Sequence, residues 1–188
     1  MSHLRMSMRP RLLLSVLSIA CLLGSAIPAV VSAANTDLER FALSLVNCTR
    51  TGGWVRADGS CKGRGSGTYS KYRKPLTLHS GISSKVARKY AVKLASADAC
   101  RHDLGGSSIQ QRFRTGGYHR TPHGESLGCS SGWSTRQMVI RTHRMMQSER
   151  SYNGWHWRNM KNGDFTHVGV GIARDGNESR VVYDFYGG

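Results

Sequence analysis

The stretch MMQSERSYNGWHWRNMKNGDFTHVGVG, Met145 to Gly171, gathers Glu149, His156 and His167 with Tyr152, Trp155 and Trp157. It closes on Val168, Val170 and Ile172, an alternation of period two that predicts a strand. Carboxylate and imidazole at this density, between a helical pattern and a strand, mark the place to look for chemistry. A similar mixture stands upstream, where Cys100-Arg-His102 is followed by His123-Gly-Glu125-Ser126-Leu127-Gly-Cys129. The two regions are expected to meet in space and form one cavity.

Working outward, a first helix is expected from Thr36, capped by Thr36 or Asp37, with Leu38, Phe41, Ala42, Leu45 and Val46 as its apolar face. It should end near Asn47, ahead of a long polar loop over residues 50–75. A second helix begins at His79 or Ser80 and runs to about Ala97, burying Ile82, Val86, Tyr90 and Leu94 and turning Lys85, Arg88, Lys89 and Lys93 outward. A short helical pattern follows at Ser108–Arg114, and Ser134 caps a third main helix, Thr135–Ser148. Strands are expected at His167–Ala173 and Arg180–Tyr186, joined through Asp175-Gly-Asn177, with a further one at Gly124–Gly128. Helices around a small antiparallel sheet make an α+β fold, and the sequence contains no internal repeats.

The N-terminus has the form of a secretory signal peptide over residues 1–33. Arg5, Arg9 and Arg11 precede an apolar run from Leu12 to Val31, and Val31-Ser-Ala33 supplies the small residues of a cleavage site. Gly24, Ser25 and Pro28 interrupt the run and weigh against a retained membrane anchor. A lipid attached at Cys21 is weaker still, because the next residues remain hydrophobic. A single mature domain, residues 34–188, is expected, with no transmembrane segment, as a secreted, extracellular monomer. Cys48, Cys61, Cys100 and Cys129 then remain, an even number in an oxidising compartment. Two disulfides are expected, with three pairings open. Cys48–Cys61 would close the Gly-rich loop, and Cys100–Cys129 would tie the two upstream segments together. A four-cysteine zinc site is disfavoured, since no Cys-x-x-Cys pair exists.

Charge is the strongest compositional signal. The chain has 27 Lys+Arg against 11 Asp+Glu, a formal +16. Loss of Arg5, Arg9 and Arg11 with the leader leaves +13 on the mature chain. For an exported protein this favours anionic polymer or lipid surfaces as neighbours. The basic residues are scattered and form no long block, which serves solubility equally well and does not suggest specific nucleic-acid binding.

Three features, in order, resemble the CAP superfamily: cysteine-rich secretory proteins, antigen 5 and plant pathogenesis-related proteins, with the bacterial SCP-domain proteins. These are the helix ending in Cys100-Arg-His102, then Gly124-Glu125-Ser126, then Ser148-Glu149-Arg-Ser-Tyr-Asn153 followed by His156, Asn159 and Gly169-Val-Gly171. The resemblance spans about Asp37 to Gly187 and rests on order and spacing rather than on any single motif. It implies an α-β-α sandwich with a central cavity lined by His102, Glu125, Glu149 and His156. It further implies that His102 and His156 can hold zinc or another divalent cation, with the glutamates nearby. The sequence departs from the family pattern at Ser126, where Asn is usual, and at Trp157, where bacterial members often carry Arg.

The residue types support such a site independently. Two neutral imidazoles with carboxylate or water can complete a four-coordinate shell that keeps an open position. Without a metal, the same four groups could act as a receptor or as a purely structural polar network. The leading expectation is a metal-responsive extracellular binding module for an unknown ligand, with lipid or anionic polymer as candidates. The alternative is a hydrolase in which Glu125 or Glu149 is the general base. A serine nucleophile is not favoured, because Ser126 and Glu125, adjacent on a strand, point to opposite faces and no Gly-x-Ser-x-Gly elbow exists. Among other histidines, His143 reads as a core residue and His167 as a local hydrogen-bonding group. His119 and His123 are the candidates for additional ligands. Trp133, Trp155 and Trp157 are read as core or rim packing before any groove role.

Overall fold

Val168, Val170 and Ile172 lie in the middle of a four-stranded sheet around which the helices are arranged. The computed structural model describes residues 36–188, so the expected signal peptide over 1–33, Cys21 included, lies outside the described residues. The elements, in chain order, are α1 (Thr36–Arg50), β1 (Trp54–Val55), β2 (Cys61–Lys62), β3 (Thr77–Leu78), α2 (Ser80–Ile82), a π-helical turn (Ser83–Ala87) and α3 (Arg88–Ser96). After a short 3-10 turn at Leu104–Gly106 come α4 (Ile109–Thr115), β4 (His123–Ser131) and α5 (Thr135–Ser148). A second 3-10 turn (Glu149–Tyr152), α6 (Trp155–Lys161), β5 (His167–Asp175) and β6 (Glu178–Tyr186) complete the chain.

The sheet order is β3-β5-β6-β4, with β4 as one edge. The pairs β5–β6 and β4–β6 are antiparallel as expected, and β3 adds a short parallel strand against Thr166–Val168. The period-two pattern sorts residues onto two faces. Val168, Val170, Ile172, Val181, Tyr183 and Phe185 pack against α1, α5 and α6. On the other face, Ala173, Val182 and Leu127 meet α3, and Tyr186 meets Phe113 of α4. This is an α-β-α sandwich.

Three departures from the sequence expectation have local causes. First, α1 continues past Asn47 to Arg50 because its last residues find buried partners rather than solvent. The Arg50 side chain donates to the carbonyls of Lys74, Met160, Asn162 and Phe165, and Thr49 donates to Gln147 Oε1. Second, the expected second helix widens into a π turn where β3 has ended. The Val170 N–H then has no strand partner and donates instead to Ser83 Oγ at 2.9 Å. Gly169 and Gly171 permit this approach, since a Cβ on either would collide with the backbone of the π segment. Third, β4 extends over His123–Ser131, because Cys129, Ser130 and Ser131 keep register with Arg180, Ser179 and Glu178.

Covalent and ionic ties join the parts. The disulfides are Cys48–Cys61 and Cys100–Cys129. The first secures the long loop, which also carries the β1–β2 ribbon. Arg88, expected to face outward with the lysines, turns inward instead: the buried Glu39 carboxylate draws it into a two-pronged pair, at 2.6 and 2.7 Å, that joins the two helical layers. No described helix is long and apolar enough to cross a membrane.

Candidate functional site

The two expected regions meet at the free edge of β4, one from each face of the sheet. Glu125 and Ser126 are neighbours on that strand and point opposite ways. Glu125 faces α3 and α4, where its side chain is fully buried. Ser126 faces α6, where its hydroxyl accepts from Asn159 Nδ2 at 3.3 Å. Asn159 also donates to the Glu125 carbonyl at 2.8 Å, which fixes the β4 backbone at this point.

On the α3 face, the His102 ring donates from Nδ1 to Glu125 Oε1 at 2.6 Å. Glu125 Oε2 accepts from Arg112 of α4 at 2.5 Å. The same guanidinium donates to the carbonyls of His102 and Ser107 and stacks on the Tyr90 ring, 3.5 Å from its centroid. Tyr90 in turn donates to the Arg101 carbonyl and accepts from the Leu104 N–H. Arg180 donates to the Ala99 carbonyl and to Asp98. With the Cys100–Cys129 bridge, these bonds hold the loop that presents His102.

On the other face, α5 ends at Ser148 and Glu149 begins the 3-10 turn. Asn153, in the left-handed region at φ 54°, reverses the chain so that α6 starts beneath Glu149. Its Oε2 accepts from the backbone N–H groups of His156 and Trp157 at 2.9 and 3.3 Å, while Oε1 accepts from His156 Nδ1 at 2.6 Å. One carboxylate therefore caps α6, where the helix dipole favours negative charge, and also orients the imidazole.

His102 and His156 line one cleft of about 570 Å³, with the Cys129 segment of β4 as its floor. Trp133, Arg141 and Met145 stand at its rim, with the Arg141 guanidinium 3.5 Å over the Trp133 ring. In each dyad the glutamate engages Nδ1, so Nε2 is the nitrogen left for a ligand. Second-sphere carboxylates of this kind are the usual support of metal-binding histidines. Among the described residues, however, no group of three or more His, Cys, Asp or Glu side chains could hold a metal.

The remaining sequence candidates fall elsewhere. His123, expected as an additional ligand, lies instead against the Phe113 ring at 4.9 Å between centroids. It joins no cluster that could hold a metal, and neither does His119. His143 is fully buried, bonded through Nε2 to Thr49 Oγ1 at 2.9 Å, and burial lowers its pKa to about 3. His167 bonds locally to Thr166 Oγ1 and stacks edge-on to His79. Trp157 is core, whereas Trp155 is 74 % exposed under Arg158.

Two residues of the site were not anticipated. Arg112 sits on the polar side of a short helix, where no spacing distinguishes it from other surface arginines. Asp184, opposite Glu125 in register, is fully buried. Burial, and then the Glu125 charge, raise its carboxyl well above the usual range, so the protonated form is favoured. The sequence signal for it was a lone acid inside Val181-Val-Tyr-Asp-Phe-Tyr186, a strand apolar on both faces.

An α-β-α sandwich of this kind is consistent with the CAP fold. The family model described as "Cysteine-rich secretory protein family" matches residues 43–185, and the chain belongs to that family. Among solved structures, it resembles an outer surface protein from Borrelia burgdorferi, at TM-score 0.59 and 17 % identity over 82 % of this chain and 95 % of that one. It also resembles an extracellular SCP-domain protein from Bacillus anthracis, at TM-score 0.57 and 14 % identity over 80 % of this chain. Of that Bacillus protein the match spans only 40 % of the length. Among curated proteins, none matches this chain.

Proposed function

We propose that this protein is a secreted, extracellular binding module whose cleft takes a divalent cation between His102 and His156. The observation that carries the reading is the pairing of two imidazoles in one cleft, each with Nδ1 committed to a buried glutamate. That arrangement sets the tautomer and ring direction in advance, which lowers the cost of coordination. Two protein nitrogens leave most of a zinc shell to water or ligand, so the cation would be exchangeable and the protein metal-responsive rather than metal-dependent for folding. A bound cation would supply positive charge and open coordination positions for an oxygen-bearing ligand. The chain's own part is to hold the two rings and to present Arg141 and Trp133 beside them.

A hydrolytic role for Glu125 or Glu149 has less support, because every carboxylate oxygen of both already accepts a hydrogen bond from the protein. The two disulfides and the expected leader support export. The test is calorimetric zinc titration of the purified, disulfide-intact protein beside the His102→Ala/His156→Ala variant. Binding near one equivalent, absent from the folded variant, is expected. No binding, or binding retained by the variant, rejects the reading.

A further inference from the structure

A second concave surface shares no lining residue with the cleft that holds His102 and His156. It is a groove of about 230 Å³ between the π turn with α3 and the short helix α4. Lys85, Lys89 and Lys93 run along one wall, all exposed, and Ser107, Gln111 and Thr115 form the other. The lysines recur every four residues, and at about 1.5 Å rise per residue their Cα atoms are spaced by roughly 6 Å along the axis. Lys93 Nζ donates to the Leu104 carbonyl at 2.8 Å, which fixes the end of the row against the 97–107 loop. Arg112 also lines the groove, and its buried Nε–H finds no acceptor among the described residues. The groove contains no acidic residue.

We propose that this groove is a docking site for a linear polyol-phosphate polymer, whose phosphodiesters would lie along the Lys85–Lys89–Lys93 row. Charge complementarity selects a polyanion, and the single row at helical spacing selects a thin, flexible chain over a broad surface such as duplex DNA. Single-stranded nucleic acid is disfavoured because the groove offers no exposed ring for base stacking, its one aromatic, Tyr90, being 2 % exposed. The alcohol and amide groups of Ser107, Gln111 and Thr115 suit the hydroxyls of the polyol repeat. This site does not depend on the metal reading: it uses neither His102 nor His156, although Arg112, which lines it, also holds Glu125 and the His102 carbonyl through its Nη atoms.

The experiment is calorimetric titration of the disulfide-intact protein with a glycerol-phosphate oligomer at several salt concentrations. The comparison variants are Lys85→Gln/Lys89→Gln/Lys93→Gln and, with the same charge change on exposed residues elsewhere, Arg56→Gln/Arg144→Gln/Arg150→Gln. The lysine variant is expected to bind at least about tenfold more weakly at low salt. Its plot of log affinity against log salt should be shallower by about 2, the value for three lost contacts at roughly 0.7 each. The arginine variant, and His102→Ala/His156→Ala, are expected to stay close to the parent. Equal losses in the lysine and arginine variants would mean bulk charge and overturn the proposal. So would absence of binding to the oligomer, or tighter binding of single-stranded DNA.

Discussion

Replacing Glu149 tests whether one side chain both builds α6 and aims His156. Its two oxygens accept from two backbone N–H groups and one imidazole N–H, within 2.6–3.3 Å, at a position 7 % exposed. Glu149→Ala strands three donors. Losing a helix cap costs about 1 kcal/mol, and losing a hydrogen bond to a charged group about 1.5–3 kcal/mol. A total near 3 kcal/mol is expected, which for a domain of this size is a fall in Tm of roughly 6–12 °C. Glu149→Gln keeps one acceptor oxygen for the cap but presents an NH2 group where the second carboxylate oxygen stood. It should therefore recover much of the stability while releasing the His156 ring. Loss of such a support reduces metal affinity about 10–100-fold. Urea denaturation followed by zinc calorimetry on both variants separates the two effects. A Glu149→Gln protein with parental zinc affinity, or a Glu149→Ala protein with parental stability, would refute the dual role.

Other substitutions probe the frame around the site. Gly171→Ala places a Cβ against the backbone of Ala87 and Arg88, where no side-chain rotation can relieve it. A loss at or above the roughly 1–3 kcal/mol typical of overpacking is expected in denaturant titration. Burial lowers the His143 pKa from 6.5 to about 3, so the unfolded chain binds the extra proton first. Its contribution is complete above pH 6.5 and is lost as pH falls toward 3, at about 1.4 kcal/mol per pH unit. His143→Gln should flatten the stability profile in that interval. Removing the Cys100–Cys129 bridge, which spans 29 residues, should cost about 3.5 kcal/mol on the chain-entropy estimate. It should also weaken zinc binding through His102 while leaving the α6 cap intact, as measured by calorimetry on Cys100→Ser/Cys129→Ser.

The helices and the central hairpin were readable because each is a local pattern. Leu38, Ala42, Leu45 and Val46 repeat at the helical period, and Val168, Val170 and Ile172 at the strand period, whatever they pack against. Edges were less readable where a partner far along the chain sets them. Arg50 extends α1 by bonding to carbonyls about 110 residues away, and the π turn exists because β3 stops short of Val170. The family resemblance was legible in the order Cys100-Arg-His102, Gly124-Glu125, Glu149 and His156, and the CAP fold follows it.

By itself, then, the sequence determined the residue types of the site, the even number of cysteines after residue 33 and the faces each element would bury. These are recorded in composition and in periods of two and 3.6 residues, which need no knowledge of neighbours. Only the tertiary structure decided that the dyads straddle the free edge of β4, that Arg112 holds Glu125, that Asp184 is buried beside it, and that His123 turns to Phe113. Each of these depends on which donor meets which acceptor across the sheet. Hydrogen-bond partnership is a property of assembled surfaces, and a one-dimensional pattern of polar and apolar residues does not encode it.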